Sequence, residues 1–154
     1  MISPEVVRRY PFFSCVDDAQ QKAVAMVADD MTFAKGKVIF EEGQDAGTMY
    51  ILVDGSVSLG IAAEGKHGTP SDWLFVGEIN PGEPFGISSM LPGEIYTSGA
   101  VALTNARVIK IDAVELRKLM DTDCEMGFCL MQQMGKAALE RLRLTHIQLA
   151  AAQT

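Results

Sequence analysis

Residues 84–98, PFGISSMLPGEIYTS, gather the side chains best suited to hold a small ligand. An aromatic-glycine turn, Phe85-Gly86, leads into Ile87, Ser88 and Ser89. Two serines at the start of a short helix would offer hydroxyl and backbone donors to an anion. Tyr96, Thr97 and Ser98 follow, with one aromatic face and three hydroxyls between them. The stretch holds no Arg or Lys, and its only carboxylate is Glu94. Such a set suits a flat ligand of low charge. The alternative is structural: Ser88 and Ser89 only cap the helix, while Ile87 and Tyr96 fill space.

Other chemistries find less support. The two histidines, His67 and His146, lie far apart with no second His near either, so no metal or haem site is expected. GISSM is not a Gly-x-Ser-x-Gly elbow, and no Ser–His–acid or Cys–His set stands out. A Walker-type phosphate loop is missing. No enzymatic activity and no cofactor are expected. The three cysteines, Cys15, Cys124 and Cys129, are odd in number and irregular in spacing, which suggests buried free thiols rather than a disulfide framework. Cys124 and Cys129 are five apart on a predicted helix and should point to different faces.

A net charge of −7 argues against direct nucleic-acid binding. No apolar run approaches the roughly 20 residues of a membrane span, and the N-terminus lacks a signal-peptide pattern. The expected address is cytoplasmic, with no membrane partner.

The elements that must position the ligand stretch can be read from periodicity. SPEVVRRY predicts a short helix, with Ser3 as N-cap and Pro4 at its first position. DDAQQKAVAMVADD predicts a second, with Asp17 and Gln20 at capping-box spacing. From Met31 the period becomes two, and TFAKGKVIFEEG, TMYILV, SVSLGIAA, DWLFVGEI, GAVAL and ARVIKI read as strands. Asp54-Gly55 reads as a hairpin turn. EGKHGTPSD, residues 64–72, reads as a polar loop. DAVELRKLM and a long final segment from Thr122 read as helices, each with a Glu at capping-box spacing. The expected class is mainly β with flanking helices, a sandwich or barrel. One domain over 1–154 is expected: N-terminal helices 1–30, a β-barrel 31–112 and C-terminal helices 113–154.

The last helix carries Met131, Gly135, Ala138, Leu142, Thr145 and Leu149 at alternating spacings of four and three, which form one seam. Leu130, Ala137 and Leu144 make a second apolar face. A helix apolar on two sides usually contacts two things. The reading is a two-fold homodimer through the seam; the alternative is a helix buried wholly against its own domain.

Several stretches together resemble a cyclic-nucleotide-binding domain of the catabolite activator type. KGKVIFEEGQDAGTMYILVDGSVSL (35–59) is similar to its first half, with Gly36, Gly43, Tyr50, Gly55 and Val57 in place. GEINPGEPFGISSML (77–91) and GAVALTNARVIKID (99–112) are similar to its second half, and the likeness covers roughly 10–150. It implies a jelly-roll β-barrel (a double-stranded β-helix) with short N-terminal helices and a long C-terminal dimer helix. It also implies a sensor or regulatory role in which a ligand shifts the placement of that helix. The helix-turn-helix domain of the family's transcription factors is not expected here. The family motif runs Phe-Gly-Glu, with Glu accepting a ribose hydroxyl, and later an Arg that pairs with the cyclic phosphate. Phe85 and Gly86 match, but Ile87 stands for the Glu. The Arg position falls at Tyr96, with Thr97 or Ser98 one or two residues on. Losing one partner of a buried charge pair typically costs about 2–5 kcal/mol, roughly thirty- to several-thousand-fold in affinity. The implication is a pocket that does not hold cyclic AMP or GMP in the usual manner.

Overall fold

The structure, a computed structural model, describes residues 1–63 and 69–154. The segment holding His67 lies outside the described residues, as does most of the predicted polar loop. The chain opens with α1 (Pro4–Arg8), a 3-10 turn (Pro11–Phe13) and α2 (Asp18–Met26). The capping box at α2 forms in both directions: Gln20 N donates to Asp17 Oδ1 and Asp17 N donates to Gln20 Oε1, each at 2.8 Å. Eight strands follow: β1 (Ala28–Phe33), β2 (Val38–Phe40), β3 (Thr48–Asp54), β4 (Val57–Ala62), β5 (Trp73–Ile79), β6 (Pro84–Phe85), β7 (Gly99–Ala102) and β8 (Ala106–Asp112). Two helices close the chain, α3 (Ala113–Thr122) and α4 (Cys124–Ala152).

The strands form two four-stranded antiparallel sheets, ordered β1-β8-β3-β6 and β2-β7-β4-β5. This is the expected jelly-roll with helices at both ends of the sequence. Alternation on β3 explains how the first sheet serves two cores. Met49 and Ile51 point to the helices and pack with Phe13, Val24, Leu116 and Leu130. Tyr50 and Leu52 point the other way, into the barrel, with Phe40, Phe85, Tyr96 and Val108. Around β3 the sheet is therefore buried on both faces, and the helices cannot leave it without exposing a core.

Four expectations need correction. The helix read over 17–30 stops at Met26, and β1 starts at Ala28 rather than Met31. Pairing with β8, Ala28 opposite Ile111 through Phe33 opposite Ala106, overrides the local helical pattern. Asp54-Gly55 is not a hairpin: β3 and β4 belong to different sheets. Gly55 does take the positive φ foreseen, +96°, but it turns a corner between sheets. There Ser56 N donates to Thr104 Oγ1 at 3.0 Å, and Leu103 N to the Ser56 carbonyl at 2.9 Å. The cap of α4 is Asp123, whose carboxylate accepts from Met126 N at 3.1 Å, because Thr122 still belongs to α3. Finally, Cys15 and Cys129 are joined in a disulfide, with Cα atoms 6.1 Å apart and a separation of 114 in sequence. Cys15 is exposed rather than buried, and Cys124 is a free, exposed thiol on another face of α4.

Candidate functional site

Gly86 sets the entrance of the ligand stretch. Its φ of +69° is in the left-handed region. A Cβ there would lie 3.1 Å from the Thr48 carbonyl oxygen and 3.3 Å from the rings of Phe40 and Tyr96. The chain then makes a four-residue 3-10 turn, Ile87–Met90. Such a turn is too short to sum a useful dipole, so the expected helix N-terminus contributes little to anion binding. Ser89 is fully buried and points inward, its Oγ donating to the Gly86 carbonyl at 2.7 Å.

Tyr96 is 3% exposed. Its ring stacks on Phe40 with centroids 3.9 Å apart, and Tyr50 stacks on Phe85 at 5.1 Å. The Tyr96 hydroxyl donates to the Thr48 carbonyl at 2.7 Å and accepts from Thr48 N at 3.1 Å. Burial pushes the Tyr96 phenol above its ordinary pKa, against the lowering effect of the Thr48 bonds. Burial, reinforced by Tyr96, pushes Tyr50 up to about 12. Both phenols are neutral fixtures of the barrel at ordinary pH.

Beside this stack lies a cavity of about 540 Å³, between β4, β5, the 84–98 stretch and α4. Seven of the eight predicted ligand residues line it: Phe85, Gly86, Ile87, Ser88, Tyr96, Thr97 and Ser98. Ser89 stands behind the wall. Three of the six predicted seam residues, Ala138, Leu142 and Thr145, line the same cavity from α4. Of the rest, Met131 lines a separate cavity beneath Leu91 and Phe128, while Gly135 and Leu149 are exposed. The second apolar face also divides: Leu130 is buried in the helix-side core, and Ala137 and Leu144 border a smaller cavity with Phe12 and Pro84.

Sequence reasoning missed Met134 and Arg141, which also line the main cavity. The signal was present: 134, 138, 141 and 145 are spaced four, three and four apart, one face of a helix. Arg141 forms no ion pair and no side-chain hydrogen bond among the described residues. Burial lowers its pKa, and the charge of Glu83 opposes that shift. A guanidinium nevertheless stays charged at any ordinary pH. The cavity wall otherwise combines apolar groups such as Leu59, Ile61 and Val76 with the hydroxyls of Ser88, Thr97 and Ser98 and the single carboxylate of Glu94. Among the described residues no group of three or more His, Cys, Asp or Glu could hold a metal ion, and no helix is long and apolar enough to cross a membrane.

The chain is a jelly-roll whose aromatic interior opens into a helix-covered cavity. Residues 30–123 match the profile of the cyclic nucleotide-binding domain, more than half of the chain, and the chain belongs to that family. It is 34% identical to a structure from Geobacter metallireducens assigned as a cyclic nucleotide-binding protein, with a TM-score of 0.81 over 92% of this chain and 99% of that one. It is 26% identical over 147 residues to a CRP-like cAMP-activated global transcriptional regulator of Mycobacterium tuberculosis. That alignment takes in 95% of this chain but only 61% of the regulator. The regulatory subunit of a cAMP-independent protein kinase A from Trypanosoma brucei shares the fold at a TM-score of 0.74 and 16% identity, over 96% of this chain and 49% of that one. The family is one of regulatory and sensor domains, typically without enzymatic activity.

Proposed function

We propose that the chain is a single-domain, non-enzymatic, cytoplasmic sensor module that does not hold cyclic AMP or GMP in the family's usual manner. The observation that carries this reading is the fate of two positions. Ile87 places hydrocarbon on the cavity wall where a ribose hydroxyl would need an acceptor. Tyr96 supplies no cation, and its hydroxyl is already committed to both backbone groups of Thr48. At these two positions the acceptor for the sugar and the cation for the phosphate are replaced, while Arg141 brings a guanidinium to the cavity from α4 instead.

The mechanism is a population shift. A ligand in the cavity touches the barrel and α4 together, and so favours one placement of that helix. The helix transmits it through a two-fold homodimer, as CRP-like domains commonly dimerise through it. Leu142 and Leu149, 49% and 56% exposed, support a partner helix along the seam. A second reading, an interaction scaffold with a filled pocket, rests on Tyr96, which occupies barrel space beside Phe40.

A thermal-shift screen with cyclic mononucleotides, cyclic dinucleotides, linear nucleotides and a broad metabolite set separates the readings. Ligand bound only by the native state raises Tm. The sensor reading expects a saturable shift from some compound and none from cyclic AMP or GMP at micromolar concentration. Micromolar capture of either nucleotide would overturn it. A flat response across the screen would favour the scaffold.

A further inference from the structure

The cavity has a charge inventory that its barrel-side chemistry does not explain. Arg141 is its only cation among the described residues, and Glu94 its only carboxylate. The guanidinium lies close over β5: a Cβ on Gly77 would stand 3.5 Å from Nη1. The glycine leaves room for the group to lie against the strand. Glu83 acts on Arg141 only at a distance, with no ion pair between them. Half-burying a guanidinium without a bonded partner is costly, and such a group gains most from a carboxylate that meets its fork of donors.

We propose that the cavity takes a small amphipathic monoanion, a carboxylate on an aromatic or medium-length aliphatic body, with its charge on Arg141 and its body along Leu59, Ile61 and Val76. This rests on the reading of the cavity as a ligand site. One cation can neutralise one negative charge, and the carboxylate of Glu94 on the same wall repels any further one, so di- and triphosphates are rejected. Ile87 and Leu142 offer no acceptor for a sugar, so the body is hydrocarbon. Among the described residues the hydroxyls of Ser88, Thr97 and Ser98 make no side-chain hydrogen bond, and they remain available to the carboxylate's second oxygen. Because Arg141 is on α4, the ligand's charge is held by the helix and its body by the barrel. Occupancy would then tie the two together directly.

The test is calorimetric and thermal-shift titration of the whole chain with decanoate and indole-3-acetate. Decanamide and indole-3-acetamide serve as neutral counterparts, and cyclic AMP as the family reference. The expected result is saturable binding of at least one acid and a loss of at least tenfold for its amide. Arg141→Gln should weaken the acid at least tenfold, with Arg141→Lys in between. Ser98→Phe, which fills the cavity, should abolish binding. Equal affinity for acid and amide, or undiminished acid binding in Arg141→Gln, would overturn the inference. If neither acid binds but a neutral amide does, and Ser98→Phe removes it, the carboxylate assignment falls while the sensor reading stands; micromolar binding of cyclic AMP would overturn both. If nothing binds to wild type, both fall together.

Discussion

On the barrel side of the cavity, the two buried hydroxyls of the 84–98 stretch are spent inside the fold. Tyr96 holds both backbone groups of Thr48, and Ser89 holds the Gly86 carbonyl. On the α4 side the reverse holds. Arg141 has no bonded partner among the described residues, and Leu142 and Thr145 stand beside it with exposed surface. The same contrast runs along α4 itself. Its first turns carry Met126, Cys129 and Leu130, all buried, with Cys129 cross-linked to Cys15; farther along it carries Leu139, Ile147 and Leu149, all exposed. The barrel and the start of the helix are built for stability, and the rest of the helix holds what is left for recognition.

The largest expected effect tests the barrel wall. Tyr96→Ala should destabilise by about 3–5 kcal/mol, through lost burial and a cavity beside Phe40. At about 2–4 °C per kcal/mol for a chain of this size, calorimetry should show a Tm lower by roughly 6–20 °C. Arg141→Ala, the matching change on the helix wall, should cost less than about 1 kcal/mol. Equal losses at the two positions would erase the contrast.

Next comes the anchor of α4. Cys15→Ser opens a loop whose ends are 114 residues apart, and such cross-links typically contribute about 2–4 kcal/mol. The oxidised wild type should lose a similar amount on reduction, while the Cys15→Ser variant should not respond to reductant. A variant as stable as the oxidised chain would mean that the N-terminal helices hold α4 by packing alone.

A third effect is confined to alkaline pH. Tyr50 is neutral in the fold up to about pH 12 but ionises near 10 when unfolded. The unfolded chain therefore binds fewer protons between those values, and stability falls as pH rises through the window. Two units at one Tyr correspond to about 2–3 kcal/mol, fully present below pH 10 and lost by about pH 12. Absorbance near 295 nm should show phenolate appearing together with unfolding, and not before it. Early titration of all three tyrosines would place the stack in contact with water.

The sequence disclosed most where the cause is local. The capping box needs only Asp17 and Gln20 three residues apart, and it formed as expected. The succession of short strands was also legible, because glycine turns and alternation recur along the chain, whereas the jelly-roll came only from the resemblance to the family. Asp54-Gly55 shows the limit: residue type dictates a positive φ but not which strand lies opposite. The two-residue β6 escaped notice because Pro84 and Phe85 pair only through β3, with no periodicity of their own. Cys15 and Cys129 meet only because the chain ends converge on one sheet face, which spacing cannot reveal. At the site, the 84–98 stretch was visible as a cluster of types. Arg141 was not, since a lone arginine on a long helix looks like any solvated charge until the barrel is closed beneath it.

The smallest expected effect on the fold concerns the end of α4, and it separates two uses of one helix. Leu142 is both a seam residue and part of the cavity wall, so Leu142→Glu alone is ambiguous. Leu149 is exposed and lies outside the cavity. Leu149→Glu should change monomer stability by less than about 0.5 kcal/mol, as a surface substitution does. If a second copy covers the seam, the same change places like charges across the two-fold axis and dissociates the dimer. Sedimentation equilibrium should then give one chain mass for Leu149→Glu and two for wild type. Ligand binding should survive in the Leu149 variant and weaken in the Leu142 variant. A dimer untouched by Leu149→Glu but broken by Leu142→Glu would place the contact beside the cavity, so that the partner copy closes the ligand site itself. A monomeric wild type would leave the exposed leucines of α4 without the second copy proposed for them.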